Sequence, residues 1–117
     1  MSTHDRDINI LSHMIRYCDQ IDEAILRFGD DEQLFYSDAV FQNAVAMCIL
    51  QIGELAGHLT EEYRNSHSEM PWRQMKAIRN IIAHNYGVVD AETAWEIVKG
   101  DIPSLRRFCE AELENSQ

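Results

Sequence analysis

A chain of 117 residues with 45% hydrophobic side chains can bury one core without a covalent staple, so a single domain spanning residues 1–117 is expected. The formal charge of −10, with only ten Lys and Arg, excludes a surface that coats nucleic acid broadly, because phosphate contacts need clustered cations. Asp5, Arg6, Asp7, Asp19 and Asp22 near the start, and the lack of an uncharged apolar run of about 18 residues, argue against a signal peptide and a membrane span.

The first predicted helix runs from Asp5 to Phe28. Ile8, Leu11, Ile15, Cys18, Ile21, Ile25 and Phe28 recur there at spacings of three and four, the pattern of one buried stripe. Gly29-Asp30-Asp31 breaks it. A second long helix is capped at Ser37 or Asp38 and continues through Leu55, with Gly53 and Gly57 inside or near its end. It is apolar nearly all round, which makes it the central element, covered by the other helices or by a second subunit. Glu54 stands in this run either as a buried carboxylate or as a polar group satisfied at an interface. Thr60 and the acidic residues after it open a short helix, and Asn65 to Met70 reads as a loop.

Pro71 suits the first position of a third helix, Trp72 to about Asn85, which Gly87 ends. Asp90 caps a last helical region, and Gly100-Asp101-Ile102-Pro103 should kink or split it before Leu105, Phe108, Cys109 and Leu113 resume the stripe. No period-2 strand is visible, so the expected architecture is an all-α antiparallel bundle. Cys18, Cys48 and Cys109 are far apart, form no C-x-x-C, and read as reduced small hydrophobes of a cytosolic protein. Trp72 and Trp95 read as core or interface anchors, and the Arg106-Arg107 pair as a solubilising element of the last helix.

The third helix raises the functional question, because "AIRNIIAHNYGVVD" (Ala77–Asp90) carries polar groups that a buried helix does not need. On a helical wheel Met75, Ile78 and Ile82 share the core side, while Arg73, Asn80 and His84 fall opposite, flanked by Lys76, Ala77 and Ala83. Arg79 and Tyr86 stack along the border. Charge is distributed accordingly: residues 1–60 hold three basic and ten acidic side chains, residues 87–117 three and seven, but residues 61–86 four and three. An anion would be admitted at this stretch and repelled elsewhere.

Histidine can exchange a proton near neutrality, and arginine can hold a phosphodiester and stabilise the charge that develops on it. Together they suffice for metal-free RNA cleavage by the neighbouring 2′-OH, with a second His84 across a two-fold axis as the acid. The same residues are compatible with a plainer role, since His and Arg near a helix C-terminus meet the negative end of its dipole and Tyr86 could be a core-edge aromatic. His4, His13, His58 and His67 have neither an i, i+4 histidine nor cysteine companions, so no metal site is expected.

The string Arg79-Asn80-x-x-x-His84-x-Tyr86 resembles the R-x4-H-x-Y signature of HEPN domains, specifically the HepT-like toxins of toxin–antitoxin pairs. "QIGELA" (Gln51–Ala56), "MPWRQMKAIRN" (Met70–Asn80) and "AWEIVKGDIPSL" (Ala94–Leu105) resemble that family's flanking segments, so the likeness covers roughly residues 8–110. It implies a four- to five-helix HEPN bundle acting as a homodimer in the cytoplasm. The composite site would cut RNA without metal or cofactor through Arg79 and His84 of both chains, with Asn80 orienting its neighbours and Glu54 and Arg73 in support. It also implies that an MNT-type nucleotidyltransferase antitoxin, using ATP, adenylylates Tyr86. The competing reading is a non-catalytic nucleotide-binding or structural partner subunit of such a nucleotidyltransferase, which the charge of −10 favours.

Overall fold

Ser2 opens the first helix: its hydroxyl accepts the Asp5 amide at 3.1 Å, and α1 (Thr3–Phe28) then runs uninterrupted to Gly29. The Gly29 backbone sits at φ 119°, where an L side chain is strained, so the break falls there. The structure, a computed structural model, describes the backbone of residues 2–83 and 90–116, and their side chains except those of residues 79–83.

The buried face of α1 is Asp7, Ile10, Leu11, Met14, Cys18, Ile21 and Ala24. Ile8, Ile15, Ile25 and Phe28, expected in the stripe, are half-buried on its flank. The phase differs because α1 packs against both α3 and α7, so the arc in contact is wider than one stripe and is centred between two neighbours. A short helix, α2 (Glu32–Ser37), follows where only a break was expected. Asp31 caps it, accepting the Gln33 and Leu34 amides at 2.8 and 3.2 Å, and it inserts Phe35 fully into the core. Phe35 meets Phe41 edge-on at 4.8 Å and Trp95 at 5.0 Å, while Phe28 stacks on Phe41 at 4.9 Å.

Helix α3 (Ala39–His58), capped by Asp38, is the central element as expected. By length and composition it could cross a membrane. Here it buries Phe41, Val45, Ala46, Cys48, Ile49, Ile52, Gly53 and Ala56 against α1, α2, α5 (Trp72–Ala83) and α6 (Ala91–Glu96). Its Val40 and Met47 remain exposed.

Thr60 caps α4 (Glu61–Ser66), which extends into the stretch expected to be loop. Asp7 of α1 is 3% exposed, and its carboxylate accepts the Thr60 amide at 2.8 Å and the Thr60 hydroxyl at 2.7 Å. A buried charge on an apolar face is thereby satisfied.

The interruption expected at Gly100–Pro103 takes the form of a π turn. Helix α6 passes through one π turn (Ile97–Asp101) directly into α7 (Ile102–Asn115). Pro103 has no N–H and its ring would clash with the carbonyl four residues back in an α-turn. The wider turn, closed by the Ile102 amide on the Ile97 carbonyl, removes that conflict.

Arg106 does more than solubilise α7: it bridges Asp19 and Asp22 of α1, each at 2.7 Å, with Glu110 at 3.6 Å. The cysteines are free and buried on three helices. Burial pushes the Cys18 thiol up to about 11 and the Cys109 thiol up to about 12, and raises Cys48 too. The tryptophans Trp72 and Trp95 are both core residues.

Candidate functional site

The start of the motif helix is fixed by a polar clasp. His67 follows α4, and its Nδ1 lies 3.0 Å from the Tyr63 carbonyl while Nε2 lies 2.8 Å from Glu112 of α7. The imidazole thereby ties the end of α4 to α7, with a carbonyl at one ring nitrogen and a carboxylate at the other. Its ring stacks on Tyr63 at 4.2 Å, and the Tyr63 hydroxyl donates to the same Glu112 oxygen at 2.7 Å. Burial, and then this bond, push the Tyr63 phenol up. The next turn is tied in by Trp72, whose indole N–H donates to the His67 carbonyl at 3.0 Å. None of the clasp's members was singled out from the sequence for a contact, because it joins residues up to 49 positions apart.

Pro71 precedes the first residue of α5, and its carbonyl accepts the first helical bond from Met75 at 3.0 Å. It therefore occupies the cap and not the expected first helical position, a difference of one residue. Along α5, Trp72 is buried and Met75 and Ile78 pack on the core, whereas Arg73, Lys76 and Ala77 are exposed. The wheel is thus borne out as far as Ile78. Helices α3 and α5 run antiparallel, since Gly57 lies with Trp72 and Lys76 at one groove and Gly53 with Met75 and Ile78 at one cavity.

Arg79 and Asn80 are placed by their backbone in the later turns of α5, on the helix that begins at the clasp. Their side chains, and His84 and Tyr86 entirely, lie outside the described residues. Glu54 is not the buried carboxylate that the sequence allowed. Its side chain is 48% exposed and lies 3.6 Å from His58 Nε2 one turn on. Glu54, His58 and Lys76 border one recess, which brings the carboxylate expected in support to the outer side of α5. Arg73, the other residue expected in support, lines a broader groove beside α4. Lys76, regarded from the sequence only as a flanking residue, borders both. Among the described residues no group of three or more His, Cys, Asp and Glu could hold a metal ion.

Residues 14–112 match the family model described as HepT-like: Ribonuclease HepT-like. The chain is 32% identical over 102 residues to a "Gamma-glutamylcyclotransferase and putative RNase" of Methanocaldococcus jannaschii, covering 86% of this chain and 45% of that protein. It is 38% identical over 72 residues to a "Probable ribonuclease HepT" of Thermococcus cleftensis, covering 62% and 66% respectively. A "Putative RNase" of Caldanaerobacter subterraneus subsp. tengcongensis is 28% identical over 97 residues, with 83% and 85% covered. The chain thus spans less than two thirds of the length of the first two relatives, and most of the third. No solved structure matches it.

Proposed function

The chain belongs to the Ribonuclease HepT-like family, and from that premise we propose that it is a metal-independent endoribonuclease, the toxin of a toxin–antitoxin pair, acting as a single-domain homodimer in the cytoplasm. The observation that carries this reading is that the family match spans Arg79, His84 and Tyr86 at R-x4-H-x-Y spacing.

In the proposed reaction, neutral His84 takes the proton of a ribose 2′-OH. The 2′-oxygen bonds to phosphorus and the bond from phosphorus to the 5′-oxygen breaks. The protonated His84 of a second copy gives its proton to the departing oxygen, leaving a 2′,3′-cyclic phosphate. Arg79 holds the non-bridging oxygens and stabilises the charge that builds on them, with Asn80 orienting its neighbours. Arg73 and Glu54 support from the rim. The antitoxin, a minimal nucleotidyltransferase using ATP, joins AMP to the Tyr86 hydroxyl and releases pyrophosphate. The added phosphate and bulk beside the arginines block substrate.

The charge of −10 favours a second reading, a non-catalytic nucleotide-binding or structural partner subunit of that nucleotidyltransferase. Incubating the protein and its His84→Ala variant with total RNA in excess EDTA separates the two. The enzyme reading expects fragments with cyclic phosphate ends from the wild type alone. No cleavage by protein shown by mass spectrometry to be unmodified at Tyr86 favours the partner subunit.

A further inference from the structure

The recess at Glu54 and His58 has a volume of about 200 Å³, and the groove beside α4 about 830 Å³. Gly57 and Lys76 border both, so the two form one continuous trough across the α3–α5 junction. Its far part gathers Arg64 and Arg73 with the exposed Pro71 and half-buried Met70. Glu61 and Glu69 also line it, as Glu54 lines the recess, so three cations stand against three carboxylates and the trough is neutral overall on a molecule of −10.

Arg73 and Lys76 are available to a ligand, while the Arg64 guanidinium also reaches the Gly57 carbonyl at 3.5 Å. Arg27, Lys99 and Arg106 are engaged by carboxylates, whereas no ion pair among the described residues involves Arg64, Arg73 or Lys76. Spaced cations beside apolar surface fit a chain that alternates phosphates with bases. Lys76 lies four residues before Asn80, about 6 Å along the helix axis, so the trough leads toward the motif end of α5. Gly57 keeps it open: a Cβ built there meets nothing within 4 Å.

We propose that this trough is the track for single-stranded RNA flanking the cleaved bond, with Lys76, Arg73 and Arg64 opposing its phosphates. The identity of the polymer rests on the ribonuclease reading above; the location of the track does not.

The probe is a fluorescein-labelled single-stranded RNA of about 12 nucleotides. Its anisotropy is followed between 50 and 200 mM salt with the full chain carrying His84→Ala, so that nothing is cut. Lys76→Glu and Arg73→Glu should each raise Kd about tenfold, and each lost contact should lower the slope of log K against log salt by about 0.7. Arg107→Glu, an equal charge change on the exposed side of α7, should move Kd less than about twofold. Gly57→Leu should keep the helical melt while filling the trough, so a tenfold loss there cannot be ascribed to unfolding. Kd values within about twofold for Lys76→Glu and Gly57→Leu would overturn the proposal, as would the same variants weakening only the nucleotidyltransferase, which would assign the trough to a protein partner. Trough-dependent binding without cleavage by the wild-type chain in EDTA would sink the ribonuclease reading and leave the track standing.

Discussion

Replacing Asp7 by Ala tests whether a buried charge can organise this bundle. The Asp7 carboxylate, 3% exposed, is the acceptor for both the amide and the hydroxyl of Thr60, 53 residues away. Hydrogen bonds to a charged acceptor contribute about 1.5–3 kcal/mol each, and truncation also leaves two Thr60 donors without their acceptor. Non-additivity within one small network reduces the sum, so Asp7→Ala should cost about 3–4 kcal/mol. At about 4 °C per kcal/mol for a domain of this size, that lowers Tm by roughly 12–16 °C. Asp7→Asn keeps one acceptor for the amide, and its NH2 can donate to the Thr60 hydroxyl oxygen, so it should lose about half as much. Urea unfolding followed by circular dichroism, with m unchanged, measures both. A cost below about 1 kcal/mol for Asp7→Ala, or equal losses for Ala and Asn, would refute the reasoning. The second result would assign the effect to charge alone.

Three further outcomes follow from the packing. Unfolded thiols ionise near their ordinary value of 9.0 while folded Cys18 and Cys109 keep their protons until about 11 and about 12, so the unfolded state binds fewer protons above pH 9. Stability should therefore be fully present below about pH 9 and fall by about 3 kcal/mol by pH 10, with Tyr63 acting in the same direction; an unchanged urea midpoint between pH 8 and 10 would contradict this. Gly29→Ala forces a side chain onto φ 119° with its Cβ 3.1 Å from Leu34, and should cost about 1–3 kcal/mol. Gly100→Ala meets nothing within 4 Å and should raise stability by about 0.5–1 kcal/mol, so thermal melts that rank the two glycine variants the other way would discount the backbone argument. Phe35→Ala empties the junction of Phe41 and Trp95 and should cost about 3–5 kcal/mol; a cost near 1 kcal/mol would mean that α2 is peripheral to the core.

Elements with their own periodicity or caps were legible in the sequence: α3 at its Asp38 cap, α4 at Thr60, α6 at Asp90. Helix α2 was not, because six residues hold less than two turns of pattern and only the buried Phe35 betrays it. The face of α1 was misphased because periodicity finds the apolar arc of a helix but not how many neighbours share it. The π turn escaped because Pro103 announces a conflict without saying how the backbone resolves it. For the site, the wheel placed Arg73 and Lys76 on the outside correctly, but nothing local distinguished an exposed from a buried Glu54. The clasp of Tyr63, His67 and Glu112 joins residues that only the tertiary fold brings together, which leaves no mark on either segment alone.

The three thiols have a consequence for how this molecule can be watched. Cys18, Cys48 and Cys109 sit on α1, α3 and α7, all buried and none in a disulfide, so a reagent in solution reaches each only when the helices packed over it part. Pulses of a maleimide read by mass therefore clock three openings at once in the natural chain, with no introduced label. A single shared rate describes a bundle that opens as one body. Three different rates rank the seams between its helices by the order in which they part.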